Sequence, residues 1–101
     1  MKTIMLACAA GMSTSLLVTK MENAAKEMKI DVDIFAKPVS EIDLTLKDRK
    51  VDCLLLGPQV SFMQSELRKK LEKLGIPVET IDMTAYGMMD GEKVLKQALK
   101  S

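Results

Sequence analysis

Strand-like and helix-like stretches alternate four times along this chain, and that alternation limits its possible folds more than any other feature. The strand-like stretches are continuously apolar or alternate apolar with polar residues, whereas the helix-like stretches repeat apolar residues every three or four positions. We predict strands at 2–7, 30–35, 51–56 and 77–81, and helices at 12–28, 40–47, 60–74 and 92–100. The segment 82–91 contains two glycines and is predicted to be a loop.

This order of elements predicts an α/β fold built on a parallel sheet with helices on both faces. The segment VDCLLL at 51–56 is almost continuously apolar, as expected of a central strand that is covered on both sides. Right-handed crossovers leave few arrangements, and we predict four strands in the order 2-1-3-4. A chain of 101 residues suffices for one domain, which we assign to residues 1–101.

Composition excludes several classes of function. The formal net charge is +1 and there is no Trp, so nucleic acid is not an expected partner. Because histidine is absent, the chain holds neither a Cys-His nucleophile pair nor a histidine-containing metal site, and we expect no metal and no cofactor. No apolar run is long enough to cross a bilayer, so direct membrane insertion is not expected. Two cysteines without a secretory signal indicate thiols in the cytoplasm.

The most informative segment begins at Cys8, directly after the first predicted strand. In a sheet of this order, ligands bind beyond the carboxyl ends of strands one and three, where the strand order reverses. Small residues and then hydroxyl residues follow the cysteine, and backbone N–H groups at such a helix start bind an anion and stabilise a thiolate. A nucleophilic sulfur beside a phosphate cradle predicts a cysteine that becomes phosphorylated. The residues of this predicted phosphate-binding loop are Ala9, Ala10, Gly11, Met12, Ser13, Thr14 and Ser15.

Each of these residues also has an ordinary structural interpretation. A cysteine that ends an apolar strand is often simply small and buried, and Ser or Thr at a helix start commonly caps the helix. Gln59 and Tyr86 are predicted to lie at the same edge of the sheet, as possible neighbours of the phosphate or of a partner. Turn formation by Gln59 and edge packing by Tyr86 are the alternatives for these two residues.

The segments LACAAGMSTSLLV, LLLGPQV and DMTAYGMMDG resemble the enzyme IIB component of the bacterial phosphoenolpyruvate-dependent sugar phosphotransferase system, lactose/cellobiose (chitobiose) family. The resemblance covers nearly the whole chain. It implies that Cys8 is the catalytic nucleophile, which accepts a phosphoryl group from a histidine of enzyme IIA. It further implies that Cys8 donates this group to a sugar bound in the membrane-embedded enzyme IIC. The implied sugar is a β-linked disaccharide such as cellobiose, chitobiose or lactose.

Two other functions stay open on the sequence alone. The loop also resembles that of low-molecular-weight tyrosine phosphatases, so a phosphatase or an arsenate-reductase-like hydrolytic enzyme is the main alternative. Those phosphatases place an arginine six residues after the cysteine, where this chain has Thr14, and an acid in a later loop, for which Asp82 and Asp90 are candidates. An arginine would grip the transferring phosphoryl group and stabilise its transition state, so its absence favours a carrier. A non-catalytic sensor that only binds anions is the second alternative.

Overall fold

The computed structural model describes residues 2–8 and 14–100, in which strands and helices alternate. The strands are β1 (Lys2–Cys8), β2 (Val32–Pro38), β3 (Cys53–Leu56) and β4 (Val78–Thr80). The helices are α1 (Thr14–Glu27), α2 (Ile42–Asp48), α3 (Gln64–Glu72), α4 (Met83–Gly87) and α5 (Gly91–Leu99), and 3₁₀ turns at Val39–Glu41 and Pro58–Met63 precede α2 and α3. Within the described ranges, each helix falls short of the length and apolarity that a membrane span requires.

The four strands form one parallel sheet in the order β2-β1-β3-β4, which confirms the predicted fold class and strand order. Ala7 pairs with Leu56, and Leu56 pairs with Thr80, so the carboxyl ends of β1, β3 and β4 share one edge of the sheet. Strand β2 lies on one side of β1, whereas β3 and β4 lie on the other side, so the strand order reverses between β1 and β3. Cys8 therefore stands at the carboxyl end of a strand that flanks the reversal point, where parallel sheets bind ligands.

Each face of the sheet has its own apolar core, because successive residues of a strand point to opposite faces. Ile4, Leu6 and Leu55 pack in a cluster with apolar residues of α1 and α5. Met5 and Leu54 face the other way, into a cluster with residues of α2 and α3. The predicted coverage of both faces by helices is confirmed.

The predicted loop at 82–91 is wrong in part, since it contains the short helix α4. The Asp82 carboxylate accepts a hydrogen bond of 3.0 Å from the Ala85 N–H and so caps the helix, and Gly87 ends the helix instead of preventing it. Strand β2 starts two residues later than predicted and continues to Pro38, because its pairing with β1 extends to Cys8. The predicted helix 60–74 begins as a 3₁₀ turn, and the left-handed Gly75 (φ +72°) follows its end as expected.

Candidate functional site

Cys8 ends β1 and is almost completely buried, with 5 % of its surface exposed. The Gly57 N–H donates a hydrogen bond of 2.9 Å to the Ala7 carbonyl oxygen, which extends the contact between β1 and β3 one residue beyond the paired strands. This bond fixes the chain after β3 against the chain at Cys8. Cys8 therefore lies where the two central strands, β1 and β3, end.

Gly57 leaves room for a side chain from the following turn. A Cβ atom at this position would lie 3.6 Å from the Cys8 Cβ and 3.2 Å from Oε1 of Gln59. The Gln59 carboxamide oxygen and the Cys8 Cβ thus both lie next to Gly57, where β1 and β3 end. The sequence predicted that Gln59 lies at this edge, but the part played by Gly57 depends on a close approach that no local pattern reports.

Tyr86 reaches the same place from α4. Its side chain is buried, and it is hydrogen-bonded to the Gln59 side chain. Burial raises the pKa of the Tyr86 hydroxyl above its ordinary value of 10.0, the nearby charge of Cys8 raises it further, and the hydrogen bond from Gln59 opposes both effects. The structure therefore brings together Cys8, Gln59 and Tyr86, and Tyr86 is both an edge-packing residue and a neighbour of Cys8.

A residue that the sequence did not single out holds α4 in place. The Gln97 Nε2 donates to the Thr80 carbonyl oxygen at 2.7 Å, and its Oε1 accepts a hydrogen bond of 3.2 Å from the Asp82 N–H. One side chain of α5 thus fixes the turn between β4 and the helix that carries Tyr86. Its partners lie 15 and 17 positions away, so no local signal identifies it.

The predicted phosphate-binding loop falls largely outside the described residues, which exclude Ala9, Ala10, Gly11, Met12 and Ser13. Thr14 is the first residue of α1, and Ser15 follows it on the exposed side of the helix. The Ser15 carbonyl oxygen accepts a hydrogen bond from the Thr19 hydroxyl at 3.1 Å. The loop's role in binding phosphate stays a prediction.

The side chains that a phosphatase would need are used elsewhere. Arg49 pairs with Asp33 and stacks over the Phe35 ring at 4.2 Å. Arg68 donates to the Val78 carbonyl oxygen at 3.2 Å, on the outer strand β4. These are the two arginines of the chain.

The two candidate acids act as helix caps. The Asp82 carboxylate accepts from the Ala85 N–H at the start of α4, and the Asp90 carboxylate accepts from the Lys93 N–H at 3.1 Å at the start of α5. Each has a structural function that the loop assignment did not foresee. In the described ranges, the Asp, Glu and Cys side chains nowhere gather into a group of three that could hold a metal ion.

Exposed apolar side chains occur in the segments that follow the strand ends at the edge with Cys8. The segments that follow β1, β3 and β4 each present large apolar side chains to solvent, and Phe62 is 80 % exposed. We call this surface the apolar rim, and its members are Leu16, Phe62, Met83 and Met88. Exposed apolar side chains at the edge where a site lies are candidates for a surface that contacts another protein.

Known sequences that are similar to this chain are IIB components of the PTS system. The sequence pattern of the lactose/cellobiose-specific IIB subunit of the PTS system matches residues 3–97. The chain is 56 % identical over 100 residues to a galactose-specific EIIB component of Lactococcus lactis subsp. cremoris, covering 96 % of this chain and 93 % of the relative. It is 55 % identical over 100 residues to a cellobiose-specific EIIB component of Lactococcus lactis subsp. lactis, with the same coverage. It is 50 % identical over 99 residues to an oligo-beta-mannoside-specific EIIB component of Bacillus subtilis, covering 98 % and 94 %.

Comparison with solved structures gives the same type of fold. The cellobiose-specific IIB component of Borrelia burgdorferi superposes with a TM-score of 0.77 at 38 % identity, covering 98 % of this chain and 89 % of the other. The lactose-specific IIB domain of Streptococcus pneumoniae superposes with a TM-score of 0.82 at 20 % identity, covering 98 % and 95 %. At 20 % identity, the likeness to the Streptococcus pneumoniae domain shows a shared fold and nothing more.

Proposed function

Because the chain belongs to the lactose/cellobiose-specific IIB family of the phosphotransferase system, we propose that Cys8 is the residue that carries the phosphoryl group. As an EIIB component the protein is a phosphotransferase, which takes part in transferring a phosphoryl group to a sugar during uptake. It works as one component of a system that has several. The observation that carries the proposal for Cys8 is its position at the strand-end edge, beside Gln59 and Tyr86.

In the first step the donor is a phosphohistidine of enzyme IIA, which must come from another protein because this chain has no histidine. The Cys8 sulfur attacks phosphorus in line, the S–P bond forms and the N–P bond breaks. The imidazole nitrogen keeps the electron pair and takes up the proton that the thiol releases. The backbone N–H groups of residues 9–15 bind the phosphoryl oxygens, and the hydroxyls of Ser13, Thr14 and Ser15 are candidate further donors.

In the second step the acceptor is a sugar hydroxyl in the membrane-embedded enzyme IIC. Its oxygen attacks phosphorus, the S–P bond breaks, and the sulfur regains the electron pair and a proton from the hydroxyl. The family description and the relatives' names support a β-linked disaccharide such as cellobiose, chitobiose or lactose. We place the reaction at the cytoplasmic side of the membrane, a reducing compartment that suits a reactive thiol.

The surroundings of Cys8 support a carrier over a hydrolytic enzyme. The two arginines are engaged elsewhere, so the group most suited to stabilising a hydrolytic transition state is not supplied by this site. The apolar rim offers the direct contact that transfer between two proteins requires.

The test is the intact mass of the protein after incubation with the cognate enzyme IIA and an energised phosphate donor. We expect a gain of one phosphate in the natural sequence and in Cys53→Ala, and no gain in Cys8→Ser. Cys53 is the matched control, because it is a cysteine fully buried in the core on β3. Phosphorylation of Cys8→Ser at the natural extent would refute the assignment. An aryl phosphate offered alone should stay intact, and its turnover would instead support the phosphatase.

A further inference from the structure

The Gln59 carboxamide is held between two different groups. Its oxygen lies 3.2 Å from the position that a Gly57 Cβ would occupy, and the Cys8 Cβ lies 3.6 Å from that same position. Its other end meets the Tyr86 hydroxyl in a hydrogen bond. The carboxamide oxygen therefore lies next to Gly57, as the Cys8 Cβ does, and the N–H end of the carboxamide faces Tyr86.

The tyrosine end of this contact is fixed by the fold. Tyr86 is buried on α4, the Asp82 carboxylate caps that helix, and Gln97 binds the turn that precedes it. Gln59 itself is an exposed side chain on a 3₁₀ turn, and its side-chain bonds can rotate. At this contact the Gln59 side chain is therefore the part that can move, and the Tyr86 side chain is fixed.

The thiol and the phosphorylated form of Cys8 need opposite hydrogen-bonding groups from the carboxamide. A thiol carries a hydrogen that an amide oxygen can accept, whereas a phosphorylated cysteine presents only negatively charged oxygens, which need N–H donors. A half-turn about the last side-chain bond of Gln59 exchanges its oxygen and its nitrogen with almost no change in shape. The Tyr86 hydroxyl can partner either one, since it accepts from N–H in the first orientation and donates to oxygen in the second.

We propose that Gln59 is a two-position amide switch that turns its oxygen toward the Cys8 thiol and its N–H group toward phosphocysteine, with the Tyr86 hydroxyl as the pivot. This inference rests on the proposed role of Cys8. Gln59 then touches the phosphoryl group directly, and Tyr86 is a positioning residue that acts through Gln59. The switch stabilises the phosphorylated carrier without adding a positive charge that would also stabilise hydrolysis.

The experiment follows the Gln59 side-chain amide by NMR before and after phosphorylation by enzyme IIA. We expect a nitrogen–phosphorus coupling across a new hydrogen bond to Gln59 in the phosphorylated protein. The Gln97 amide is the internal control, because its N–H group donates to the Thr80 carbonyl oxygen and we expect that bond to persist after phosphorylation. Assignment uses Gln59→Glu, which keeps the shape of the exposed side chain and has no N–H donor.

Tyr86→Phe tests the pivot, since it keeps the buried ring and removes only the hydroxyl. We expect the coupling to Gln59 to weaken or disappear and the rate of phosphoryl transfer to fall about three- to tenfold, as for the loss of one hydrogen bond. Gln59→Glu should lower the fraction of phosphorylated carrier at equilibrium with enzyme IIA, because a carboxylate repels the phosphoryl oxygens. A thermal melt of each variant checks that the fold is intact.

The outcomes separate this inference from the proposed function. If no phosphate is found on Cys8, the proposed role of Cys8 fails and the switch fails with it. If phosphocysteine forms but the Gln59 amide shows no coupling, the switch is refuted and the carrier function stands. A coupling and a transfer rate that are both unchanged in Tyr86→Phe would refute the pivot.

Discussion

Gly57 determines how closely the side chain of Gln59 approaches Cys8. A Cβ atom here would come to 3.2 Å from the Gln59 oxygen, which is closer than most such contacts, and to 3.7 Å from the Ala7 carbonyl oxygen. The backbone of Gly57 has φ −63°, which any residue adopts. The requirement for glycine at this position is therefore one of space beside the thiol.

We predict that Gly57→Ala slows phosphoryl transfer about three- to tenfold, because the added methyl group displaces Gln59 from its place beside Cys8. The free energy of unfolding should change by less than about 1 kcal/mol, since Gln59 is flexible and the backbone angle suits alanine. Transfer kinetics and urea unfolding measure the two effects. Gly87→Ala is the control, because nothing lies within 4 Å of its added Cβ. Natural transfer rates in both variants would contradict the prediction.

Tyr86 is a second residue whose local environment has a measurable consequence. It is the only tyrosine of the chain and there is no tryptophan, so phenolate absorbance reports on this one group. Because burial and the charge of Cys8 raise its pKa, we expect the titration midpoint of the folded protein to lie above 10.0. Cys8→Ser should move the midpoint down. A midpoint that is the same in both proteins would show that Cys8 does not act on Tyr86.

The same shift affects stability in alkaline solution. A raised pKa in the folded state means that the native protein keeps a proton that the unfolded chain has lost. The stability that the protonated Tyr86 contributes is fully present below the unfolded pKa of about 10. It is lost as the pH rises through the higher folded pKa. We therefore expect the free energy of unfolding to fall with pH above about 10, and more steeply than in Tyr86→Phe. Parallel pH profiles for the two proteins would contradict this.

At the scale of elements, α5 begins in close contact with the backbone of α1. Gly91 begins α5, and a Cβ atom there would lie 2.6 Å from both the Lys20 carbonyl oxygen and the Met21 nitrogen. These are backbone atoms in the middle of α1, which cannot move aside as a flexible side chain can. Glycine at this position lets the two helices cover one face of the sheet together.

Gly91→Ala should therefore destabilise the protein by about 3 kcal/mol, the cost of forcing extra atoms into a packed interface. The measurement is urea unfolding followed by circular dichroism. Gly87→Ala, four residues earlier and with open space around the added Cβ, should change stability by less than about 0.5 kcal/mol. A small effect of Gly91→Ala would mean that α1 and α5 separate more easily than their packing indicates.

At the scale of the whole molecule, the two edges of the sheet differ in character. The segments at the edge with Cys8 carry the apolar rim, which supplies no charge of its own, while Arg49 and Asp33 pair near the opposite edge. Two exposed apolar residues make a useful comparison between the edges. Phe62 belongs to the apolar rim, and Leu74, which is 63 % exposed, follows α3 at the opposite edge.

We predict that Phe62→Ala raises the KM for phosphorylated enzyme IIA about tenfold, because aromatic side chains at the centre of protein interfaces contribute strongly to affinity. Leu74→Ala is the control and should leave the KM unchanged, since it lies away from the transfer site. Both side chains are exposed, so neither change should reduce stability by more than about 0.5 kcal/mol. An equal effect of the two variants would place the docking surface elsewhere.

The sequence by itself determined the four strands, four of the five helices of the described chain, the parallel strand order and the position of Cys8 at a strand end. These features depend on periodicity and on the handedness of crossovers, which are local or nearly universal properties of a chain. The same reasoning predicted that Gln59 and Tyr86 lie at one edge, because each follows a strand of the same parallel sheet. It missed α4, whose cap at Asp82 looked like one more polar residue of a loop.

Only the tertiary structure decided how these residues meet. The hydrogen bond between Gln59 and Tyr86, the space that Gly57 leaves beside Cys8, and the hold of Gln97 on the turn before α4 all join distant parts of the chain. Each depends on ångström-scale distances between elements, which follow from the packing of both faces of the sheet. Hydrophobic patterns specify which face is buried, but they leave the separation of individual side chains undetermined.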